Sequence, residues 1–182
     1  FNGDGKPDLA VANGGGNNMC VLLNQGDGTF APAVFYPGGQ TPARIACADF
    51  NGDGNLDLAM SNYLTGDVIV YLGDGKGGFT VSGDYGTGGM YPAMILTDDF
   101  NGDGIPDLAT ANTFGNSISV FLGDGTGKFS GPALYPTIQY PHIFASADLD
   151  DDGAPDIVAP NNGTGLFTVL QNKGDGTFLP AV

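Results

Sequence analysis

An acidic nine-residue motif recurs along the chain at a nearly constant interval, and this interval constrains the fold more than any other feature. Full copies cover residues 49–57, 99–107 and 148–156, and a copy without its first position covers residues 1–8. The last Asp of successive copies lies at position 8, 57, 107 or 156, so the period is 49, 50 and 49 residues. Repeats of this length are typical of propellers, solenoids and arrays of small modules.

Each period has the sequence pattern of a small antiparallel sheet. In the second period, residues 43–50 and 56–62 predict two strands joined by the acidic motif, and residues 67–72 predict a third strand. A Gly-Asp-Gly hairpin signal at residues 73–77 leads into a short fourth strand over residues 78–82. The same order returns in the other periods. All 20 acidic residues are Asp and none is Glu, which argues against surface helices.

Four short antiparallel strands in each period are typical of the blade of a β-propeller. Because a lone blade leaves both of its apolar faces uncovered, successive blades must stack. The sequence therefore predicts an all-β fold of propeller blades with four antiparallel strands each, in which three complete blades and three strands of another form an incomplete ring. We expect a single propeller segment over residues 1–182, with blades at approximately 1–36 (which lacks the first strand), 43–86, 92–136 and 141–182.

The acidic motif has the donor pattern of a loop that binds a hard cation. Positions 1, 3, 5 and 9 carry oxygen-bearing side chains, position 7 offers a backbone carbonyl, and glycines allow the backbone to wrap around one point. Without a cation these carboxylates would repel one another. Calcium fits best because it accepts about six to eight oxygen ligands in a flexible shell, whereas magnesium requires a tighter octahedron.

We therefore predict Ca²⁺ at the three complete loops and at the truncated loop of residues 1–8. The predicted metal ligands are Asn2, Asp4, Lys6, Asp8, Asp49, Asn51, Asp53, Asn55, Asp57, Asp99, Asn101, Asp103, Ile105, Asp107, Asp148, Asp150, Asp152, Ala154 and Asp156. Within this set the residues at position 7 contribute their backbone carbonyls.

Two other calcium-binding architectures do not fit the sequence. A helix–loop–helix site requires a bidentate Glu at position 12, where this chain has Met60, Thr110 and Ala159, and it requires flanking helices instead of strand formers. A calcium-binding parallel β-helix repeats about every nine residues, which is far shorter than the period found here.

The combined pattern resembles the FG-GAP or VCBS repeat of integrin-α-like propellers. The residues that carry this resemblance are Asp-x-Asn-x-Asp-Gly-x-x-Asp, then Leu-Ala-x-x-Asn, a third strand and Gly-Asp-Gly-x-Phe, and they recur over essentially all 182 residues. The resemblance implies calcium in the loop between the first two strands of each blade. It also implies a ring of about seven blades, which this chain does not complete.

Charge and composition exclude several partners. The formal net charge is −15, with five Lys and Arg residues against 20 Asp, so phosphate contacts to nucleic acid are not expected. No apolar run approaches the ~20 residues of a membrane span. Calcium loops, abundant glycine and few lysines favour a secreted or cell-surface setting, where even weak calcium sites are filled. Cys20 and Cys47 align with small strand residues and are predicted to be buried there in preference to forming a disulfide.

Strand alternation predicts that the cation loops and the Gly-Asp-Gly tips share one face of the segment. The opposite face then holds the loops between second and third strands and the connections between blades. Aromatic side chains in these loops suit the recognition of protein or sugar. The alternative is that the Tyr-Pro pairs pack the seams between blades. The candidate ligand-binding residues are Tyr63, Tyr91, Phe114, Tyr140 and His142.

Catalysis has little support in the sequence, because His142 is the only histidine and no nucleophile stands beside a base. The first hypothesis is a non-catalytic extracellular calcium-binding propeller segment for adhesion or for recognition of protein or polysaccharide. A second is a structural building block that self-assembles with further copies of itself through its open blade edges into a ring or fibre. A third is an accessory domain of a secreted carbohydrate-active enzyme.

Overall fold

The computed structural model describes residues 1–182 as four antiparallel sheets that follow one another along the chain. Sheets one and four have three strands each, and sheets two and three have four strands each. In every sheet the strands pair in chain order, so each sheet is a simple meander. The strands are β1 (Leu9–Asn13), β2 (Asn18–Leu22), β3 (Val34–Pro37), β4 (Pro42–Ala48), β5 (Asp57–Asn62), β6 (Asp67–Gly73), β7 (Phe79–Gly86), β8 (Pro92–Asp98), β9 (Asp107–Asn112), β10 (Ser117–Gly123), β11 (Phe129–Pro136), β12 (Ala145–Ala147), β13 (Asp156–Asn161) and β14 (Leu166–Leu170).

This architecture confirms the predicted all-β fold of an incomplete propeller. The structure has no helix long and apolar enough to cross a membrane. In the fourth sheet, the segment after β14 pairs less than the outer strands β7 and β11. It is joined to the sheet by an isolated bridge between Asn172 and Phe178 and by two backbone hydrogen bonds between Val169 and Val182.

The hydrophobic core lies in three layers, one between each pair of successive sheets. Sheets one and two enclose a cluster around Met19 and Tyr71, sheets two and three enclose one around Val70 and Phe121, and sheets three and four enclose one around Ile157. The second strands of the two middle sheets, β5 and β9, are buried along their whole length because neighbouring sheets cover both of their faces.

An aromatic contact links each of the first three cation loops to the sheet that follows it. The residue at position 2 of the loop packs edge to face on the aromatic that follows the next hairpin tip. The ring centroids lie 5.4 Å apart for Phe1 and Phe79, and 5.3 Å apart for Phe50 and Phe129. For Phe100 and Phe178 this separation is 5.7 Å. Each of these three loops therefore takes part in the packing of two sheets.

The two cysteines are free thiols in strands β2 and β4. Cys20 is buried, as the repeat alignment predicts. Cys47 is exposed, so the prediction of burial is wrong for this residue. Small residues at one position of the repeat thus need not share one environment.

Replacing Phe100 with Ala should lower the free energy of unfolding by about 3–5 kcal/mol, because this fully buried ring fills the core between sheets three and four. The measurement is equilibrium unfolding in urea. Val81, which is 49% exposed on the outer strand β7, provides the control, since Val81→Ala should change stability by less than about 0.5 kcal/mol. Equal effects of the two substitutions would contradict this description of the core.

Candidate metal centre

The first Asp of each full acidic loop organises the backbone around itself. The carboxylate of Asp49 accepts hydrogen bonds from the backbone N–H groups of Gly52 at 2.8 Å, Asp53 at 3.2 Å and Gly54 at 2.7 Å. The loop that begins at Asp99 repeats these three bonds within 0.1 Å. This wrapping needs left-handed backbone at position 4, which Gly52 adopts with φ 72°.

The fourth loop makes the same turn with a different residue at position 4. Asp151 stands where the other loops have glycine, and it adopts the left-handed conformation with φ 63°. Short polar side chains tolerate this conformation better than most residues. The carboxylate of Asp148 still accepts the backbone N–H groups of Asp152 at 3.2 Å and Gly153 at 2.9 Å.

The last Asp of the second, third and fourth loops is inaccessible to solvent and joins two segments of its sheet. One oxygen of Asp57 accepts the N–H of Phe50 at 2.8 Å, and the other accepts the N–H of Gly73, at the end of the third strand, also at 2.8 Å. Asp107 makes the same two bonds to Phe100 and Gly123. Each oxygen keeps a further lone pair, so these bonds do not prevent a carboxylate from contacting a cation.

Burial makes the ionised form of these carboxylates unfavourable. Desolvation raises the pKa of Asp107 to about 6, against the lowering effect of its two backbone N–H donors, and the carboxylates of Asp103 and Asp99 add to the rise. Burial likewise raises the pKa of Asp57. A cation in the loop would relieve this cost because it favours the ionised form.

Three carboxylates converge most closely in the fourth loop. The oxygens of Asp148, Asp150 and Asp156, at positions 1, 3 and 9, lie within 4.8 Å of one another and could hold a metal ion. Desolvation and then the charges of Asp152 and Asp156 raise the pKa of Asp150. All of these donors are oxygens, which is the chemistry that Ca²⁺ and Mg²⁺ prefer.

The second and third loops have an asparagine at position 3. The amide of Asn51 donates to the carboxylate of Asp53 at 3.0 Å, and that of Asn101 donates to Asp103 at 2.9 Å. Their side chains are thus joined by hydrogen bonds, while each asparagine still offers its carbonyl oxygen towards the loop. Asn55 and Ile105 occupy position 7 in these loops, and Ala154 occupies it in the fourth.

Two ammonium groups lie beside the carboxylates of the first loop. The terminal ammonium group of Phe1 contacts the carboxylate of Asp8 at 2.8 Å. The ammonium group of Lys6 lies 3.7 Å from the carboxylate of Asp4 and donates to the backbone carbonyl of Gln25. Asn2 accepts the backbone N–H of Asp4 with its side-chain oxygen.

The cation loops and the hairpin tips lie together at one end of the sheets. Gly75, at the tip after β6, is so close to the second loop that a Cβ atom there would clash with the side-chain oxygen of Asn55. At the tip after β10, a Cβ atom on Gly125 would lie 3.2 Å from the side chain of Ile105. The first and third connections of each meander therefore meet, as strand alternation predicts.

At the opposite end of the strands, four aromatic rings from four connections between strands form a continuous row. The ring centroids of Tyr63 and Tyr91 are 4.9 Å apart, those of Tyr91 and Phe114 are 5.2 Å apart, and those of Phe114 and Tyr140 are 5.4 Å apart. Phe114 is 53% exposed and Tyr140 is 37% exposed. We call these four residues the aromatic row. His142 is exposed and belongs to none of these ring pairs.

Backbone conformation helps to place two of the rings. Tyr91 and Tyr140 precede the prolines at the start of their blades and have φ angles of 60° and 44°. Bulky residues rarely adopt this left-handed region, so the surrounding contacts must hold them there. The backbone N–H of Thr113 donates to the carbonyl of Tyr91 at 3.0 Å, which ties the connection to the next loop.

The seams between sheets are packed by a different set of tyrosines. Tyr36 contacts Phe79, Tyr85 contacts Phe121 and Phe129, and Tyr135 contacts Phe178. The three tyrosines lie in the outer strands β3, β7 and β11. The repeat therefore carries two sets of aromatic residues, one in the seams and one at the surface.

Comparison with known proteins identifies the repeat. A model of the FG-GAP-like repeat matches residues 1–60 and 99–159. No curated protein matches the chain.

Solved structures with a similar fold are longer than this chain. One is an Agrocybe aegerita lectin, which is described by its specific recognition of non-reducing terminal N-acetylglucosamine. It is 28% identical to this chain, and the similarity covers 91% of this chain and 46% of the lectin chain with a TM-score of 0.63. The BBS1N chain of a complex with ARL6DN is 13% identical, with a TM-score of 0.65 over 100% of this chain and 53% of that one. The V. cholerae biofilm matrix protein Bap1 is 22% identical, with a TM-score of 0.55 over 98% of this chain and 28% of that one. At these identities the last two show the fold alone.

In metal-free protein, stability should fall as the pH rises from about 4 to about 6. The pKa of Asp107 is raised from 3.8 to about 6 by burial, so the folded state binds this proton more tightly than the unfolded chain does. The full effect for one group is up to about 3 kcal/mol. Urea unfolding in chelator across this range measures it, and Asp107→Asn should flatten the slope. Stability that is constant or rises between these pH values would contradict the raised pKa.

Proposed function

Since the chain belongs to the FG-GAP-like repeat family, we propose that it is a non-catalytic, calcium-stabilised β-propeller segment that recognises extracellular polysaccharide. Calcium holds the ends of the sheets that carry the acidic loops. The aromatic row at the other end contacts the saccharide. The observation that carries the recognition proposal is this row of four partly exposed rings, which runs across four connections between strands.

The calcium part of the proposal rests on the donor set of the loops. Buried carboxylates at position 9, further oxygens at positions 1, 3 and 5, and the raised pKa of Asp107 describe a site whose negative charge is uncompensated without a cation. The second, third and fourth loops contain every donor position of the motif and are therefore the strongest candidates for Ca²⁺.

The recognition part rests on the chemistry of the row. Aromatic rings present flat apolar faces that pack on the C–H groups of sugar rings, and rigid loops lower the entropy lost on binding. Because neighbouring rings contact one another, the row is preorganised along its length. The similarity to the Agrocybe aegerita lectin supports a saccharide ligand.

The proposal excludes catalysis by this segment on the basis of its side chains. The only histidine, His142, is exposed, and the chain contains no Glu. Most of the Asp residues lie in the cation loops. Binding a saccharide requires neither a general base nor a nucleophile.

Removing calcium should lower the melting temperature, and adding it back should restore the temperature. Each site filled at a calcium concentration of about 100 times its Kd adds about 2.7 kcal/mol to the free energy of unfolding. The measurement is thermal unfolding in chelator and in excess Ca²⁺. Asp148→Asn should reduce the calcium-dependent shift in melting temperature, because the substitution removes one negative charge from the loop where three carboxylates converge.

Asp124→Asn is the matched control for this experiment. Asp124 lies in a hairpin tip at the same end of the sheets and accepts local hydrogen bonds from Thr126. Its substitution should leave the calcium-dependent shift unchanged. A melting curve that is identical in chelator and in calcium would refute the stabilising role of the metal, while leaving saccharide binding open to its own test.

Phe114→Ala should weaken polysaccharide binding about two- to twelvefold, because one aromatic contact contributes about 0.5–1.5 kcal/mol. The probe is a series of chito-oligosaccharides and other glycans, with binding measured by calorimetry. Leu64→Ala is the control, since Leu64 is 54% exposed and follows Tyr63 in sequence but contributes no ring. Saccharide binding that is equal in wild type and Phe114→Ala would exclude the aromatic row as the binding surface.

A further inference from the structure

The three connections between successive sheets each contain a residue with left-handed backbone, directly before a proline. These residues are Thr41, Tyr91 and Tyr140, with φ angles of 55°, 60° and 44°. In each case the carbonyl oxygen accepts a backbone N–H of the loop between the second and third strands of the next sheet, at 2.9, 3.0 and 3.3 Å. The three positions are therefore equivalent, and their surroundings can be compared directly.

Two of these left-handed residues are also held through their backbone N–H groups. The N–H of Thr41 donates to the side-chain oxygen of Asn17 at 3.0 Å, and that of Tyr140 donates to the side-chain oxygen of Asn116 at 2.8 Å. Both asparagines occupy the last position of the turn between the second and third strands of the preceding sheet. An asparagine amide of one sheet thus supplies the acceptor for the connection that follows that sheet.

The middle connection lacks this acceptor. Gly66 occupies the position of Asn17 and Asn116, with a φ angle of 75°, but it has no side chain. The backbone N–H of Tyr91 donates to no protein group. This connection is also one residue longer than the other two. Because a backbone N–H is a strong donor, Tyr91 presents a free hydrogen-bonding site within the aromatic row.

An open notch with a volume of about 170 Å³ lies beside Gly66. Gly89, Met90 and Tyr91 are among the other residues that line it. Met90 is 57% exposed, and it stands where both other connections have glutamine, which makes this wall apolar. The notch lies between sheets two and three, each of which is packed between two neighbouring sheets. It therefore combines an apolar wall with one free N–H donor.

The ligand group that suits this notch is an amide. Its carbonyl oxygen would accept the N–H of Tyr91, as the side-chain oxygens of Asn17 and Asn116 do in the other connections. An acetamido group contains the same non-hydrogen atoms as an asparagine side chain, namely two carbons, one oxygen and one nitrogen, so it matches the side chain that Gly66 lacks. Its methyl group would pack on Met90, whose side chain is apolar and adaptable. A hydroxyl group also accepts an N–H, but it brings no carbon to the apolar wall.

We propose that the notch binds the N-acetyl group of an acylated hexosamine, which makes the ligand of the aromatic row an N-acetylated saccharide. This inference rests on the proposed function, because it names the class of saccharide that the row recognises. The acetamido carbonyl accepts the N–H of Tyr91, the methyl group packs on Met90, and the sugar ring lies on the aromatic ring of Tyr91. The row supplies the stacking surface, and the notch supplies the preference for the acetyl group.

Calorimetry with two trisaccharides tests this preference on the 182-residue chain in excess Ca²⁺. Tri-N-acetylchitotriose and cellotriose have the same length and linkage, and they differ in carrying an acetamido group or a hydroxyl at the second carbon of each sugar. We expect tri-N-acetylchitotriose to bind about tenfold more tightly, because the methyl contact and the amide acceptor each contribute a factor of a few.

Gly66→Asn should abolish this preference, because the new side chain fills the notch and itself accepts the N–H of Tyr91. The affinity for tri-N-acetylchitotriose should fall to that for cellotriose, which stays as in the wild type. The substitution fits the backbone, since asparagine adopts the left-handed conformation at both equivalent positions and a Cβ atom on Gly66 would lie 3.6 Å from the carbonyl oxygen of Gly89. In NMR spectra, tri-N-acetylchitotriose should shift the amide resonance of Tyr91 in the wild type and leave it unshifted in the variant.

Two further variants complete the test. Gly165→Asn makes the same substitution at the equivalent position of the fourth sheet, where a Cβ atom would meet no other atom within 4 Å, and it should keep the wild-type preference. Met90→Ala should lower the affinity for tri-N-acetylchitotriose a few-fold and leave that for cellotriose unchanged. It provides the test if Gly66→Asn loses its circular dichroism spectrum.

The outcomes separate this inference from the proposed function. A preference that Gly66→Asn removes and Gly165→Asn keeps is the result that we expect. Equal binding of the two trisaccharides by the wild type, or a preference that persists in both Gly66→Asn and Met90→Ala, would overturn the assignment of the notch and leave saccharide recognition by the row intact. Binding of neither trisaccharide would overturn both.

Discussion

The buried carboxylate at the end of each acidic loop is the interaction on which the rest of the structure depends. Asp57 and Asp107 each accept one backbone N–H from within their own loop and one from the end of the third strand, 16 residues later. These bonds hold the loop against its sheet. They also place an ionised group where water cannot solvate it, which makes a nearby cation energetically favourable. If Ca²⁺ binds as proposed, folding and metal binding are coupled through the same side chain.

Repetition turns this local device into an extended structure. In the first three loops, the aromatic residue at position 2 packs on an aromatic residue of the next sheet, so each of these loops contacts two neighbouring sheets. Strand alternation then separates the two ends of the sheets. One end carries the acidic loops, for which we propose a stabilising role, and the other carries the aromatic row, for which we propose a role in recognition.

Much of this arrangement is predictable from the sequence because its signals are local. The period, the glycines of the tips and the acidic loops predict four-stranded units in the right order and with the right connections. The hydrogen bond that the Asp57 carboxylate accepts from the backbone N–H of Gly73 is not predictable, because Gly73 lies 16 residues further along the chain. Burial is equally non-local: Phe50 and Leu149 share a repeat position, but only Phe50 has a following sheet to cover it. The exposure of Cys47 and the left-handed Tyr91 and Tyr140 depend on such context too.

The central claim is that divalent cations occupy the acidic loops and hold the sheets at one end. Anomalous diffraction from crystals grown in calcium tests it most directly. The account predicts peaks in the second, third and fourth loops, each about 2.3–2.6 Å from oxygens at positions 1, 3 and 5, from the position 7 carbonyl and from the position 9 carboxylate. Well-ordered loops without an anomalous peak, at a calcium concentration in the millimolar range, would contradict it.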